Sequence, residues 1–113
     1  MSSEKAAQIN RLQEQLKVVM AERQRLELEI KETDRVVNEV KSLAEGTEVY
    51  RSTGPVLYKT TSQEVLTSLQ KYREEVNERL TLYQTQENAI RSEMERIRKS
   101  TVIKPSAQTE EES

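Results

Sequence analysis

From Ile9 the apolar residues step along the chain by threes and fours: Ile9, Leu12, Leu16 and Val19, then Leu26, Ile30, Val37 and Val40. Arg23 and Thr33 fill two of the intervening steps. This spacing holds an apolar stripe on one side of a helix and suits a coiled-coil seam. No Gly or Pro interrupts it before Gly46, which stands where a helix-ending glycine would. The pattern predicts a first helix over residues 5–45, roughly 60 Å long at ~1.5 Å per residue. A second stripe runs Leu66, Leu69, Val76, Leu80, Tyr83, Ile90, Met94 and Ile97, with Arg73 and Glu87 at the remaining steps. Thr61-Ser62-Gln63-Glu64 begins it with the spacing of a capping box. The β-branched run Thr101-Val102-Ile103 and then Pro105 end it. A second helix is predicted over residues 62–101, and two such stripes joined by a short connector predict an antiparallel two-helix coiled coil.

The polar residues within the stripes test that arrangement. If position 40 lies near 69 or 70, Arg23 comes level with Glu87, both at seam positions where an unpaired charge is costly. A cross-helix pair there would fix the register. Independent snorkelling of each side chain to solvent is the alternative.

Residues 48–60 leave helical spacing. Val49, Tyr50, Val56, Leu57 and Tyr58 favour strands, and Thr53-Gly54 sits between them. A two-residue loop flanked by Ser52 and Pro55 would place Tyr50 opposite Leu57, Val49 opposite Tyr58 and Glu48 opposite Lys59. Thr53 suits positive φ poorly, so a three-residue loop with a Gly bulge stays equally open. In either form apolar side chains occupy both faces of the hairpin. A lone two-stranded hairpin is marginal in water. Both points favour a sheet or barrel completed by other chains over a mere reinforced loop joining the two helices.

Composition narrows the function. Of the 113 residues 34% are apolar and 34% charged, with no Phe and no Trp, too little for a large enclosed core. Eighteen basic and twenty acidic residues leave a formal charge of −2, which offers no general attraction to nucleic acid or anionic membrane. There is no His and no Cys, so metal sites, catalytic triads and disulfides are not expected. Gly46 and Gly54 are the only glycines, too few for a phosphate-binding loop. Neither a signal peptide nor a membrane span is evident, and a cytoplasmic protein without cofactor or enzymatic activity is expected.

The central stretch in its helical setting carries a specific resemblance. Val49-Tyr50-Arg51 enters the turn, Gly54 lies in it, Pro55-Val56-Leu57 leaves it, and a TxxE start opens the second helix. Together, over residues 5–100, these resemble the β class of prefoldin subunits. Tyr58 stands where an aliphatic residue is usual, and a single hairpin favours the β class over the α class. The resemblance implies a hetero-hexamer of α-class and β-class subunits, with hairpins forming an inter-subunit β-barrel and coiled coils projecting from it. It also implies ATP-independent capture of unfolded client proteins and their delivery to a group II chaperonin, with actin and tubulin as clients if the source is eukaryotic.

Under that reading residues 1–113 form one domain. Val49, Tyr50, Gly54, Val56, Leu57 and Tyr58 serve oligomerisation. Ile9, Leu12, Leu16, Met94, Ile97, Val102 and Ile103 form client-binding tips, where a frayed coiled-coil end exposes its seam. Arg91, Arg96, Arg98, Lys99 and Lys104 lie before the acidic Glu110-Glu111-Glu112, in a tail over 104–113 expected to be disordered. Charge-based docking onto the chaperonin is one use of this region, and simple solvation the other. A rival to the chaperone reading is a coiled-coil adaptor that dimerises through its hairpin.

Overall fold

A computed structural model describes residues 2–102; Thr101 and Val102 are described by backbone only, and Ile103, Lys104 and the acidic tail lie outside the described residues. The order is helix α1 (Ser3–Lys41), strand β1 (Glu48–Thr53), strand β2 (Val56–Thr61) and helix α2 (Ser62–Val102). The fold is thus mainly α, two long helices with an antiparallel hairpin between them.

The helix starts follow from local chemistry. At α1 the Ser2 hydroxyl accepts from the Lys5 N–H at 3.1 Å. At α2 the capping box forms in both directions: Glu64 N–H donates to Thr61 Oγ1 at 3.2 Å, and Thr61 N–H donates to Glu64 Oε1 at 3.3 Å. The Thr60 hydroxyl adds a third bond to the same oxygen at 2.9 Å. These donors hold the Glu64 carboxyl below its ordinary range, the Thr60 hydroxyl contributing most.

Helix α1 ends earlier than its apolar spacing predicts, at Lys41 and not at residue 45. Ser42 N–H is shared between the Asn38 and Glu39 carbonyls, while the Ser42 hydroxyl donates to the Glu39 carbonyl. That local bonding tightens the last turn and competes with helix continuation. Gly46 is therefore not the helix cap. It sits within the turn from Ala44 to Thr47, which Thr47 N–H closes onto the Ala44 carbonyl, and its φ of 82° is one that Gly adopts freely.

Two compact units divide the chain: one comprises residues 1–23 and 82–113, the other residues 24–81. In the first, Ile9, Met94 and Ile97 form a buried cluster with Leu12, Leu16 and Ile90 packed against it. In the second, Leu26 and Val76 are 1% exposed, and Val37, Leu80 and Thr33 are also buried. The Thr33 hydroxyl spends its hydrogen on the Glu29 carbonyl at 2.8 Å, so its burial in an apolar seam leaves no donor orphaned. In each unit α1 and α2 run antiparallel. Lys5 Nζ meets the Ser100 hydroxyl in the first, and Arg73 meets Asp34 in the second.

The hairpin register differs from the sequence expectation by two residues. Tyr50 faces Lys59, Arg51 faces Tyr58, Ser52 faces Leu57 and Thr53 faces Val56. The loop is Gly54-Pro55, not Thr53-Gly54, and no Gly bulge forms. Gly54 takes φ 58° as the first central residue, and proline's fixed negative φ suits only the second central position of such a turn. Thr53, a poor residue for positive φ, is thereby left in the strand. A slip of two residues keeps every side chain on its expected face. Glu48 and Lys59 still pair, at 3.4 Å, across a diagonal of the ladder.

Candidate functional site

Three groups of residues stand out as candidates, and their environments differ. The hairpin is the most exposed. One face carries Tyr50 and Leu57, 64% and 69% exposed. The other carries Val49, Val56 and Tyr58; of these Val49 is half-buried, and Val56 and Tyr58 are exposed. Arg51, on that second face beside Tyr58, donates to the Ser68 hydroxyl of α2 at 3.3 Å, and Gln63 of α2 donates to Glu45 before β1. Those bonds tether the hairpin to α2, while Tyr50 and Leu57 stay open among the described residues. Backbone edges and apolar side chains together make an adhesive element.

The candidate tip residues are instead closed. Ile9, Met94 and Ile97 are buried against one another, and Leu12 and Leu16 are half-buried beside them. Val102 is the last residue of α2, and Ile103 lies outside the described residues. Lys5 Nζ donates to Ser100 Oγ at 3.1 Å, bridging the two helices near these ends. In this state the tip seam is core, not free surface.

The third group is polar. Arg23 Nε donates to Glu87 Oε1 at 2.5 Å, with the two side chains 20% and 13% exposed. The other oxygen of Glu87 accepts from Arg91 at 3.0 Å, and Arg91 also approaches the Met20 sulfur. The Arg91 hydrogen bonds lower the Glu87 pKa most. Burial opposes them, and Arg23 lowers the pKa further. One carboxylate thus accepts from two guanidiniums, one from each helix, at a seam level where apolar residues would otherwise meet. Spacing alone raised the Arg23–Glu87 juxtaposition; Arg91, one turn beyond Glu87, completes it and was legible as an i,i+4 neighbour.

The second unit holds polar ties that the sequence reading did not identify. Arg73 makes a two-pronged contact with Asp34, at 2.6 and 3.3 Å. Asp34 lies outside the apolar stripe, so its partner could be found only by placing α1 level with α2. The Arg73 hydrogen bond holds the Asp34 carboxyl low. The Tyr72 hydroxyl donates to Glu29, which with burial raises the Tyr72 pKa. No group of three or more potential metal ligands occurs among the described residues, and no helix among them is long and apolar enough to cross a membrane.

A profile of the family described as prefoldin subunit matches residues 3–106. The prefoldin subunit beta of Sulfurisphaera tokodaii is 32% identical over 91 residues, which cover 80% of this chain and 73% of that one. The corresponding subunit of Thermococcus onnurineus is 26% identical over 102 residues, 88% of each chain. Among solved structures, the prefoldin beta subunit from Thermococcus strain KS-1 matches with a TM-score of 0.85 at 25% identity, covering 90% of this chain and 92% of that one.

Proposed function

The chain belongs to the prefoldin subunit family, and from that premise we propose that it is a β-class subunit of an ATP-independent chaperone hexamer. The family's function is of the chaperone type, carried out in assembly with other prefoldin subunits, and not enzymatic. The finer reading has three parts: the hairpin joins this chain to α-class and β-class neighbours, the helix ends hold non-native proteins, and the assembly delivers them to a group II chaperonin.

The observation that carries this reading is the exposed apolar hairpin, with Tyr50 and Leu57 turned outward on a face of a two-stranded sheet that the described residues leave open. Such a sheet gains stability by adding strands from neighbours. Assembly then gathers several helix pairs around one bound chain, and contacts that are individually weak become collectively effective. Client contact through Ile9, Met94 and Ile97 requires the helix ends to open, because their seam is closed at rest. Terminal turns open at low free energy, which suits reversible capture and release.

The test is reconstitution with an α-class partner, native mass measurement, and light scattering from a chemically denatured model protein diluted without nucleotide. A hexamer that suppresses scattering is expected. Removing residues 1–12 and 98–113 is expected to abolish suppression while hexamers persist. A dimer that leaves scattering unchanged would instead identify a coiled-coil adaptor.

A further inference from the structure

We propose that the cluster of Arg23, Glu87 and Arg91 is a register key. It selects the one axial level at which α1 and α2 close in the unit formed by residues 1–23 and 82–113, and it does so at some cost in stability. Such a key serves the pairing of two helices within one chain and holds whether or not the assembly is a chaperone.

The apolar seam of this unit does not choose a level by itself. Ile9 and Leu16 stand one heptad apart on α1, as do Leu12 and Val19, and Ile90 and Ile97 repeat the spacing on α2. All six are aliphatic, and all are buried or half-buried. Sliding one helix by a heptad, about 10 Å at ~1.5 Å per residue, therefore replaces each apolar contact by another of the same kind. The chain connection does not forbid the slide, since residues 42–47 between α1 and β1 can span up to ~20 Å when extended.

Exposed polar ties discriminate poorly as well. In the second unit Arg73 and Asp34 are 44% and 46% exposed, a setting in which ion pairs contribute little. Glu27 stands one heptad before Asp34, so a slide in one direction offers Arg73 a second carboxylate. Yet the structure holds one level, at which Lys5 Nζ reaches the Ser100 hydroxyl and the two helix ends finish together.

The three members of the cluster divide the task. Arg91 lies one turn from Glu87 on the same helix and keeps its bonds to that carboxylate at any level, so it steadies the acceptor. Arg23 comes from α1 and is the member that reads the level. At the observed level Arg23 meets Glu87, and both side chains are mostly buried at seam steps. A slide of seven residues one way brings Arg23 level with Met94, which is 5% exposed. A slide the other way brings Glu87 level with half-buried Leu16. Either slide withdraws Arg23 from the carboxylate and sets charge against an apolar seam position, which is costly. Of these three levels only the observed one satisfies both seam charges. A partly buried ion pair adds little net stability over apolar residues of similar size. What it supplies here is discrimination between levels that the apolar seam treats alike.

The chain has no cysteine, so Asn10→Cys with Ser92→Cys, both at exposed positions, places one spin label on each helix of the full-length protein. Pulsed electron dipolar spectroscopy reads the distance between the labels, in oligomers diluted with unlabelled chain so that only labels of one chain pair. With the cluster intact a single distance is expected. Arg23→Leu with Glu87→Leu should add distances from chains shifted by a heptad, while the midpoint of denaturant unfolding stays equal or rises. Arg23→Leu alone, with Glu87 still held by Arg91, should also add distances. Arg23→Glu with Glu87→Arg keeps one carboxylate between two guanidiniums and should return the single distance. If the double Leu chain fails to fold, the single Leu substitution and the charge swap decide the matter. A single unshifted distance in the Leu chains overturns the key, whatever their stability. Additional distances in the charge-swapped chain overturn it too, because the charges would then select nothing. Aggregation suppression enters none of these readings, so the chaperone proposal stands or falls separately.

Discussion

The hairpin and the helix ends carry similar apolar residues but treat them in opposite ways. Tyr50 and Leu57 point into solvent, whereas Ile9, Met94 and Ile97 are shut against one another. The difference is geometric. Two antiparallel helices each present one stripe, and each stripe satisfies the other within a single chain. A two-stranded sheet presents two faces, and the described residues of this chain leave one of them open. Helix pairing is therefore satisfied within one chain, while the described residues leave the Tyr50–Leu57 face of the hairpin exposed.

The largest effect should come from breaking the open half of that comparison. Tyr50→Asp with Leu57→Asp is expected to abolish hetero-oligomer formation in native mass measurement, because two charges replace the face that neighbours would cover. Helix content should be unchanged, since neither side chain packs in a seam. Intact oligomers would show that assembly does not use this face.

The closed half is broken by Leu26→Ala. Leu26 is 1% exposed at the seam, and truncation should destabilise by about 2–5 kcal/mol, lowering the midpoint of denaturant unfolding. The same substitution at Leu82, 62% exposed, should change stability by less than ~0.5 kcal/mol. Equal effects at the two sites would mean that the seam does not contribute as its burial implies.

A smaller effect sharpens the comparison inside the seam. Glu87→Gln leaves Arg23 half-buried with a weaker acceptor and should cost about 1–3 kcal/mol, in the lower part of that range because water still reaches both side chains. The Glu87 pKa lies below its ordinary 4.5 in the folded chain, so its contribution is complete above that value and is lost as pH falls through the depressed one. Stability of the wild type should accordingly decline more steeply than that of Glu87→Gln as pH drops below about 4.5 in denaturant titrations. Parallel curves would remove this carboxylate from the acid transition.

Much of this was written in residue order. The three-and-four spacing from Ile9 to Val40 and from Leu66 to Ile97 determined two helices and their seams, because a helix brings such positions to one side whatever surrounds it. Thr61 and Glu64 determined where α2 begins, since both capping bonds lie within four residues. Local rules were weaker where competing geometries lay close in energy. Gly46 looked like a helix cap, yet Ser42 ended α1 first through its own bonds to the Glu39 carbonyl. Thr53-Gly54 looked like the turn, yet Gly54-Pro55 meets the φ requirements of both central positions.

Only tertiary structure decided what depends on distance between remote residues: that Arg91 joins Arg23 on Glu87, and that Asp34 receives Arg73. These relations come from the level and rotation of one helix against the other. A periodic stripe fixes that a helix will pair; the depth and angle of packing fix which flanking side chains meet.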